Sequence, residues 1–459
     1  MDVCYFAAEV HAGACGAAPL LHHQQARFDL FNPFNLFNLF NSFNRSNSLP
    51  STPVVTFNDI QSAARRIEGG VARTPCPHSV PLSMATGCQI FCKLEFLQRT
   101  GSFKERGARN ALLKLNAEQQ RRGVITASAG NHALGLAYHA RLLRIPVTVV
   151  MPRFAPLTKI VNCQQLGATV LLEGANIEEA RCHATKLVEG KQFTYINGYD
   201  HPDIIAGQGT MGMEIVEQAP DLDAVIVPIG GGGLIAGLAV AVKTLKSNVS
   251  IIGVEPERAA SFAAAIKAGG PVLIEMLPTL ADGLAVPRVG DNAFRIARDS
   301  IDRLVTVGER AIALAVLRLV ELEKAVVEGA GAAPLAACLA GLLPELAGKK
   351  VVLPLCGGNI DTNILGRIIE RGLAADGRLC RFSAIISDRP GGLSRFTAVI
   401  AEEGASVRDI AHDRAFASED ISTVTVHCIV ETRDQEHISR LQQRLAQEGF
   451  AVRFPDPAL

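Results

Sequence analysis

A short segment of this chain places one amine among residues that favour the start of a helix. It is Gly101-Ser102-Phe103-Lys104-Glu105-Arg106-Gly107, in which Ser102 and Glu105 have the spacing of a capping box. Lys104 is then expected in the first helical turn, where the helix dipole disfavours a cation and lowers the amine pKa. A lowered pKa suits a lysine that forms a Schiff base. The segment alone fits a solvated surface lysine beside Glu105 better, because most lysines are surface residues.

A run of four glycines, Gly230 to Gly233, follows an apolar strand pattern and precedes a helical one. Backbone amides without a Cβ can close around an anion at a helix N-terminus, which predicts a phosphate cradle. Continued to Ala236, the run also matches the dinucleotide fingerprint G-x-G-x-x-A, and Glu255 lies nineteen residues beyond Ala236, where that fingerprint has its ribose acid. A phosphate site, a nicotinamide or flavin site and a close-packed glycine turn therefore all stay open.

Two further segments combine small residues with polar ones after a strand pattern. Ser128-Ala129-Gly130-Asn131-His132 would expose backbone amides that can hold a carboxylate. Asn131 also fits a helix N-cap, and His132 is expected to be a first-turn helix residue rather than a general base. Cys356 ends the run VVLPLC, where it would either face a ligand crevice or be a buried small residue.

The elements that must position these residues alternate between strand and helix. Apolar runs at 147–152, 224–229, 249–255 and 351–356 predict buried parallel strands, and helical patterns lie between them, for example at 132–143 and 311–325. This alternation predicts an α/β fold with an open parallel sheet covered on both faces. In such sheets the ligand lies beyond the carboxyl ends of the strands, where the motifs fall.

One uncharged stretch and the last eighty residues complete the pattern. Residues 224–242 carry no charge, but Pro228 and the glycine run interrupt them, so we predict strand, loop and buried helix rather than a membrane span. The order of strand-like and helical patterns in the C-terminal residues predicts a separate βαββαβ ferredoxin-like module. Its expected elements are a strand at 381–388, a helix to about 404, strands at 405–416 and 421–431, a helix at 434–448 and a strand at 450–454.

Composition narrows the class of protein. The chain has 459 residues, of which 48% are apolar and 20% charged, and its formal net charge is zero. That length predicts two or three domains, and the charge balance favours neither nucleic acid nor membrane as a partner. Eleven cysteines without a CxxC pair indicate reduced thiols in a cytoplasmic protein. Residues 1–55 are predicted to be a disordered low-complexity extension, because Phe recurs at every third position from Phe28 to Phe43 and Asn from Asn32 to Asn44; organellar targeting stays open.

Six motifs occur in the order of a known family: SFKERGA, SAGNHALG, GGGGLIAG, LADGLAV, VVEGAGAA and LCGGNID. Together they resemble the fold-type II enzymes that use pyridoxal 5'-phosphate (PLP), and more closely the threonine dehydratase (threonine ammonia-lyase) and serine dehydratase family. The resemblance covers about 57–375 and implies a tryptophan synthase β-like catalytic domain at 56–376, with parallel sheets in two subdomains. Residues 380–459, which begin near SDRPGGLSRF, resemble an ACT regulatory domain.

The resemblance also implies a role for each candidate residue. Lys104 would bind PLP covalently and later remove the α-proton, and Phe103 would pack beside the cofactor ring. Asn131 would bond the 3'-oxygen, and Cys356 would face the pyridine nitrogen. The implied phosphate cradle is Gly230, Gly231, Gly232, Gly233 and Leu234. The implied site for the substrate carboxylate is Ser128, Ala129, Gly130, Asn131 and His132.

The implied reaction eliminates water from L-threonine to give an enamine, and hydrolysis then takes up water and yields 2-oxobutanoate and ammonia. Cys356 stands where many threonine enzymes carry Ser, so L-serine is a second expected substrate. Ala129 stands where related serine racemases carry Ser, which disfavours racemisation. Metal-binding members pair an acid like Glu255 with a later Asp, but here that position is Ser261, so no metal site is predicted. An amino-acid effector at the ACT-like segment and a homodimer or homotetramer are expected.

Rival functions remain open from the sequence. Within the family they are serine racemisation and β-replacement of the cysteine synthase type. Outside it, the chain would be a non-catalytic amino-acid sensor acting through the ACT-like segment, or a dinucleotide oxidoreductase.

Overall fold

The computed structural model describes residues 54–414 and 420–454, which contain three β-sheets. The low-complexity extension lies outside the described residues, except at its end, where Val55 is buried in an apolar core. The strands are β1 His78–Ser79, β2 Gln89–Lys93, β3 Val124–Ala127, β4 Val147–Met151, β5 Thr169–Leu172, β6 Thr194–Tyr195, β7 Ala224–Pro228, β8 Ser250–Pro256, β9 Arg303–Val307, β10 Lys350–Pro354, β11 Leu379–Ser387, β12 Ser406–Asp413, β13 Thr423–Glu431 and β14 Ala451–Arg453.

Helices separate most of the strands of the first two sheets. The helices are α1 Phe57–Ile67, α2 Val80–Thr86, α3 Lys104–Leu113, α4 Ala117–Arg122, α5 Asn131–Leu143, α6 Leu157–Gln165, α7 Ile177–Lys191, α8 Pro202–Gln218, α9 Gly233–Leu245, α10 Ser261–Ala268, α11 Asp291–Ala297, α12 Glu309–Glu323, α13 Gly329–Leu339, α14 Thr362–Ala375, α15 Gly392–Glu402 and α16 Gln435–Gln447. A short 3-10 turn, Asp282–Leu284, lies between α10 and α11.

The larger parallel sheet has the strand order β1-β2-β10-β7-β8-β9, in which only the short β1 is antiparallel to its neighbour. Its strands are apolar on both faces, as parallel strands covered by helices must be. Helices α1, α8, α9 and α11 cover one face, and α2, α12 and α13 cover the other. The four-stranded parallel sheet has the order β5-β4-β3-β6 and lies between α3, α5 and α6 on one face and α7 on the other. Two sheets with separate cores thus form the part of the described chain that precedes the C-terminal module.

The C-terminal module is an antiparallel sheet of order β12-β13-β11-β14, connected as βαββαβ. Burial alternates along β11 and β13, because one face of the sheet packs on α15 and α16 and the other faces outward. This order confirms the predicted ferredoxin-like arrangement, which is compatible with an ACT-like domain.

Residues 224–242 form β7, the glycine turn and the buried start of α9, which confirms the prediction of strand, loop and helix. Within residues 54–414 and 420–454, none of the helices combines the length and the apolar character that a bilayer crossing requires. The helices predicted at 132–143 and 311–325 are α5 and α12.

Two predicted caps are wrong. Ser102 does not cap α3, because it pairs with Gly357 in a short bridge while Phe103 takes the cap position. The carboxylate of Glu105 instead accepts a hydrogen bond from the Thr100 amide. Asn131 is the first residue of α5 rather than its cap, since Gly130 holds that position. The first-turn position of Lys104 is confirmed.

Candidate active site

A cavity of about 1290 Å³ lies at the carboxyl ends of β3, β7 and β10, between the two parallel sheets. This is where an open α/β sheet binds its ligand. The structure brings every sequence-predicted site residue to its wall. These residues are Phe103, Lys104, Ser128, Ala129, Gly130, Asn131, His132, Gly230, Gly231, Gly232, Gly233, Leu234 and Cys356.

Lys104 projects into this cavity from the first turn of α3. Its Nζ donates a hydrogen bond to the Gly198 carbonyl oxygen at 2.9 Å and lies 5.0 Å from the centre of the Phe103 ring. Surrounding protein disfavours the ammonium form and lowers the pKa of Lys104 to about 8, although Cys356 and Glu328 act in the opposite direction. About a tenth of the amine is therefore unprotonated at pH 7, far more than for an ordinary lysine. This excludes the alternative of a solvated surface lysine beside Glu105.

A buried cluster of ion pairs fixes the first turn of α3 through Arg106. Arg106 is fully buried and contacts Glu95 at 2.7 Å and Glu214 at 2.7 Å, and Glu214 also contacts Lys93 at 2.5 Å. The two acids balance the two bases, so burial leaves no net charge in the cluster. Because Arg106 is two residues after Lys104, these contacts fix the direction from which the amine enters the cavity. Sequence reasoning missed this cluster, whose members come from separate elements.

The glycine turn has the backbone that its sequence requires. Gly232 has φ +89°, which glycine adopts readily, and α9 begins at the next residue. A Cβ on Gly231 would lie 2.2 Å from Cγ of Tyr199, and one on Gly233 would lie 2.2 Å from the Tyr199 carbonyl oxygen. The amides of a first helical turn have no acceptors within the helix. The turn is therefore a close-fitting backbone cradle suited to an anion.

Glu255 does not serve as the ribose acid of a dinucleotide site. Its carboxyl group is buried and accepts hydrogen bonds from the Phe262 amide at 2.6 Å and the Ala263 amide at 2.9 Å, at the start of α10. Burial outweighs these bonds and raises the pKa of Glu255 to about 7. The carboxyl group is thus committed to a helix terminus. Across the described ranges, no group of three or more His, Cys, Asp or Glu side chains is arranged to hold a metal ion.

Asn131 belongs to a hydrogen-bond chain that crosses the cavity wall. Its Nδ2 donates to Oε1 of Glu328 at 2.7 Å, and its Oδ1 accepts from Nδ2 of Asn359 at 2.8 Å. Glu328 is only 6% exposed, and burial together with Asp282 raises its pKa to about 8. Glu328 lies in the motif VVEGAGAA, but the sequence predicted no role for it. Its signal was available, since Glu328 is the only charged residue between positions 325 and 343.

His132 and Cys356 are both held neutral. The ring of His132 is buried with Nε2 3.2 Å from the Ile196 carbonyl oxygen, and burial with the nearby Lys104 lowers its pKa to about 3. This agrees with the prediction of a first-turn helix residue rather than a general base. Burial raises the pKa of the Cys356 thiol well above its ordinary value, and Sγ lies 3.3 Å from the Pro354 carbonyl oxygen.

A family model described as pyridoxal-phosphate dependent enzyme matches residues 67–357, which is more than half of the chain. The chain belongs to this family. An L-threonine ammonia-lyase from Thermotoga maritima is 42% identical over 401 residues, covering 87% of this chain and all of the relative. The family membership of this chain confirms PLP as its cofactor. The similarity to an L-threonine ammonia-lyase confirms the resemblance seen in the motifs.

Solved structures agree with the fold of this PLP enzyme. The processed form of threonine deaminase isoform 2 from Solanum lycopersicum is 34% identical with a TM-score of 0.65, covering 71% of this chain and 98% of that one. A serine racemase from Dictyostelium discoideum is 35% identical with a TM-score of 0.63, covering 67% and 99%. The prediction of a fold-type II α/β enzyme is therefore confirmed.

The cavity residues fit PLP. A phosphate suits the backbone amides of the glycine turn, where a Cβ at Gly231 or Gly233 would collide with Tyr199, and an aldehyde suits the amine of Lys104. The neutral thiol of Cys356 is a weak partner for a pyridine nitrogen, in contrast to a carboxylate, which would hold that nitrogen protonated.

A salt bridge spans the two sheets at the edge of the cavity. Nζ of Lys159, on α6, lies 3.1 Å from Oδ2 of Asp282, in the 3-10 turn of the larger subdomain. Both residues line the cavity. This bridge therefore connects two walls of the cavity.

Proposed function

We propose that this PLP enzyme is a threonine ammonia-lyase, which converts L-threonine to 2-oxobutanoate and ammonia and also accepts L-serine. The observation that carries the proposal is the amine of Lys104, which shares one cavity with the glycine turn and has its pKa lowered to about 8. The L-threonine ammonia-lyase from Thermotoga maritima supports the substrate class.

The roles of the residues follow from their chemistry. Bound PLP would withdraw electrons from the substrate's amino nitrogen and so acidify the α-carbon. Lys104 Nζ would hold the cofactor and, once freed, take the proton from that carbon. Residues 128–132, at the start of α5, would orient the substrate carboxylate through their amides. Asn131, the glycine turn and Cys356 would hold the 3'-oxygen, the phosphate and the pyridine nitrogen respectively.

Ala129 favours elimination over racemisation. It lines the cavity with a methyl group, which can neither donate nor accept a proton. Reprotonation of the α-carbon from the face opposite Lys104 therefore lacks an acid at this position. This distinguishes the proposal from the reaction of the serine racemases to which the fold is similar.

The test is the release of keto acid from L-threonine and L-serine side by side, with D-serine formation measured in the same samples. Keto acid from L-threonine, little D-serine and no activity in Lys104→Ala support the proposal. Lys114→Ala is the matched control, because this lysine lies at the other end of α3 and pairs with Asp203 on the surface. D-serine as the main product would instead assign a racemase, and a protein without a Lys104-dependent absorbance band would be a non-catalytic sensor.

We further propose that residues 380–459 form an ACT-like regulatory domain that binds an amino-acid effector, with the catalytic domain at 56–376. Ion pairs at the connection between the two domains support coupling between them. Asp376 contacts Arg318 on α12 at 2.5 Å, and Arg378 pairs with Glu321 on the same helix. Titration of the activity with isoleucine and valine, before and after Arg318→Met, tests the coupling, and an unchanged response in the variant would refute it.

We also propose a homodimer or homotetramer in the cytoplasm. The described cysteines are free, and all of them except Cys182 are buried, as expected of reduced thiols. Light scattering coupled to gel filtration measures the assembly, and a monomer under assay conditions would refute it.

A further inference from the structure

The carboxyl group of Glu328 lies where three elements of the catalytic part meet. It precedes the first residue of α13, and its amide donates to the Gly357 carbonyl oxygen at 2.9 Å. A Cβ on Gly357 would lie 2.5 Å from Oε1 of Glu328 and 3.1 Å from Nδ2 of Asn131. The glycine therefore leaves just enough room for the carboxyl group to reach the start of α5.

Glu328 ends a hydrogen-bond chain whose direction is fixed at the other end. Nδ2 of Asn359 donates to the Thr100 carbonyl oxygen at 2.6 Å, and a carbonyl oxygen can only accept. The same Nδ2 donates to Oδ1 of Asn131 at 2.8 Å, so Asn131 must present Nδ2 on its opposite side. One hydrogen of that Nδ2 goes to Oε1 of Glu328 at 2.7 Å. Its second hydrogen remains for a ligand in the cavity.

We propose that Glu328 is a positioning residue that orients the Asn131 amide, so that the second Nδ2 hydrogen is available to the 3'-oxygen of PLP. This inference rests on the proposed role of Asn131 in binding that oxygen. Without an acceptor at position 328, Nδ2 would lose one of its two partners and the amide would be free to rotate about its side chain. Glu328 thus acts on the cofactor through Asn131 rather than by contact with the substrate.

Glu328 performs this role as a neutral acid near pH 7. Burial raises its pKa to about 8, and Asp282 adds to this effect, while the hydrogen bond from Asn131 and the charges of Lys159 and Lys104 oppose it. The thiol of Cys356 also faces it and is itself neutral. Above pH 8 a carboxylate would form beside the negatively charged 3'-oxygen, and repulsion between the two would weaken cofactor binding.

The experiment compares PLP affinity, measured by absorbance titration of cofactor-free protein, in wild type, Glu328→Gln and Glu328→Leu. Gln keeps an acceptor oxygen, so Glu328→Gln is expected to bind PLP within about twofold of wild type at pH 7, whereas Leu removes a buried acceptor and is expected to weaken binding about tenfold. Above pH 8 the affinity of Glu328→Gln should exceed that of wild type severalfold, because only the glutamate ionises.

Leu339→Ala, at the far end of α13 and outside the cavity wall, is the control for general destabilisation. It is expected to lower the melting temperature and to leave PLP affinity unchanged. The role of Glu328 alone is overturned if Glu328→Leu binds PLP as wild type does, or if Glu328→Gln is as impaired as Glu328→Leu. Wild-type protein that forms no Lys104-dependent absorbance band would overturn the proposed function together with this inference.

Discussion

Replacement of Gly231 by alanine tests whether the glycine turn holds the phosphate. The new Cβ would lie 2.2 Å from Cγ of Tyr199, whereas ordinary contact begins at 3.4 Å, so ring and turn must separate by more than 1 Å. Tyr199 has little freedom to withdraw. Its hydroxyl group accepts a hydrogen bond from Arg181, and its backbone amide donates one to Oδ1 of Asn197 at 2.9 Å. Overpacking of this kind costs about 1–3 kcal/mol.

If the glycine turn moves and the Tyr199 ring does not, the steric penalty weakens cofactor binding. A penalty of about 1–3 kcal/mol corresponds to a loss of roughly 5- to 150-fold in affinity for PLP. Absorbance titration of cofactor-free Gly231→Ala measures this loss, and thermal unfolding reports any share that falls on stability. Gly366→Ala is the control, because a Cβ there meets open space on exposed α14 and should stabilise the helix by about 0.5–1 kcal/mol. An affinity within twofold of wild type, with an unchanged melting temperature, would refute the cradle.

Three other perturbations test separate parts of the structure. Because the pKa of Lys104 is lowered to about 8, the unprotonated amine accumulates as pH rises, and the rate of covalent PLP attachment should increase from about pH 7 and level off by about pH 9; stopped-flow absorbance that shows a flat profile would contradict this. Arg106→Met leaves buried acids unpaired and should lower the free energy of unfolding in urea by about 3–5 kcal/mol. The exposed control Arg153→Met should lower it by less than about 1 kcal/mol. Equal losses in the two variants would show that the buried cluster is not the cause. Asp376→Asn should leave basal keto-acid release unchanged and weaken the response to an effector, and a large loss of basal rate would contradict a purely regulatory contact.

Much of the fold follows from patterns that are local in sequence. The glycine turn, the strands on either side of it and the first-turn position of Lys104 all depend on neighbouring residues, and the structure agrees with them. The C-terminal βαββαβ order was also predictable, because burial alternates along its strands and helical periodicity separates them. Strand order was not, since β10 lies between β2 and β7, although nearly 260 residues separate it from β2 in sequence.

The errors and omissions share one physical origin. The capping box at Ser102 and Glu105 was sound as a local pattern, but pairing with Gly357, which is distant in sequence, takes Ser102 away from the helix start. Likewise, Glu328 can bond to Asn131 only because α13 and α5 begin close together in space. Almost two hundred residues separate Glu328 from Asn131 in sequence. A sequence pattern records what a residue prefers, whereas tertiary contacts decide which preferences are met.

The salt bridge between Lys159 and Asp282 has a consequence for how fast the enzyme can work. Each residue belongs to a wall with its own hydrophobic core, so the seam can part without unfolding either side. A change that tightens the seam would slow both the arrival of the amino acid and the departure of the keto acid. Turnover and apparent affinity would therefore both depend on an ion pair that never touches the reacting carbon.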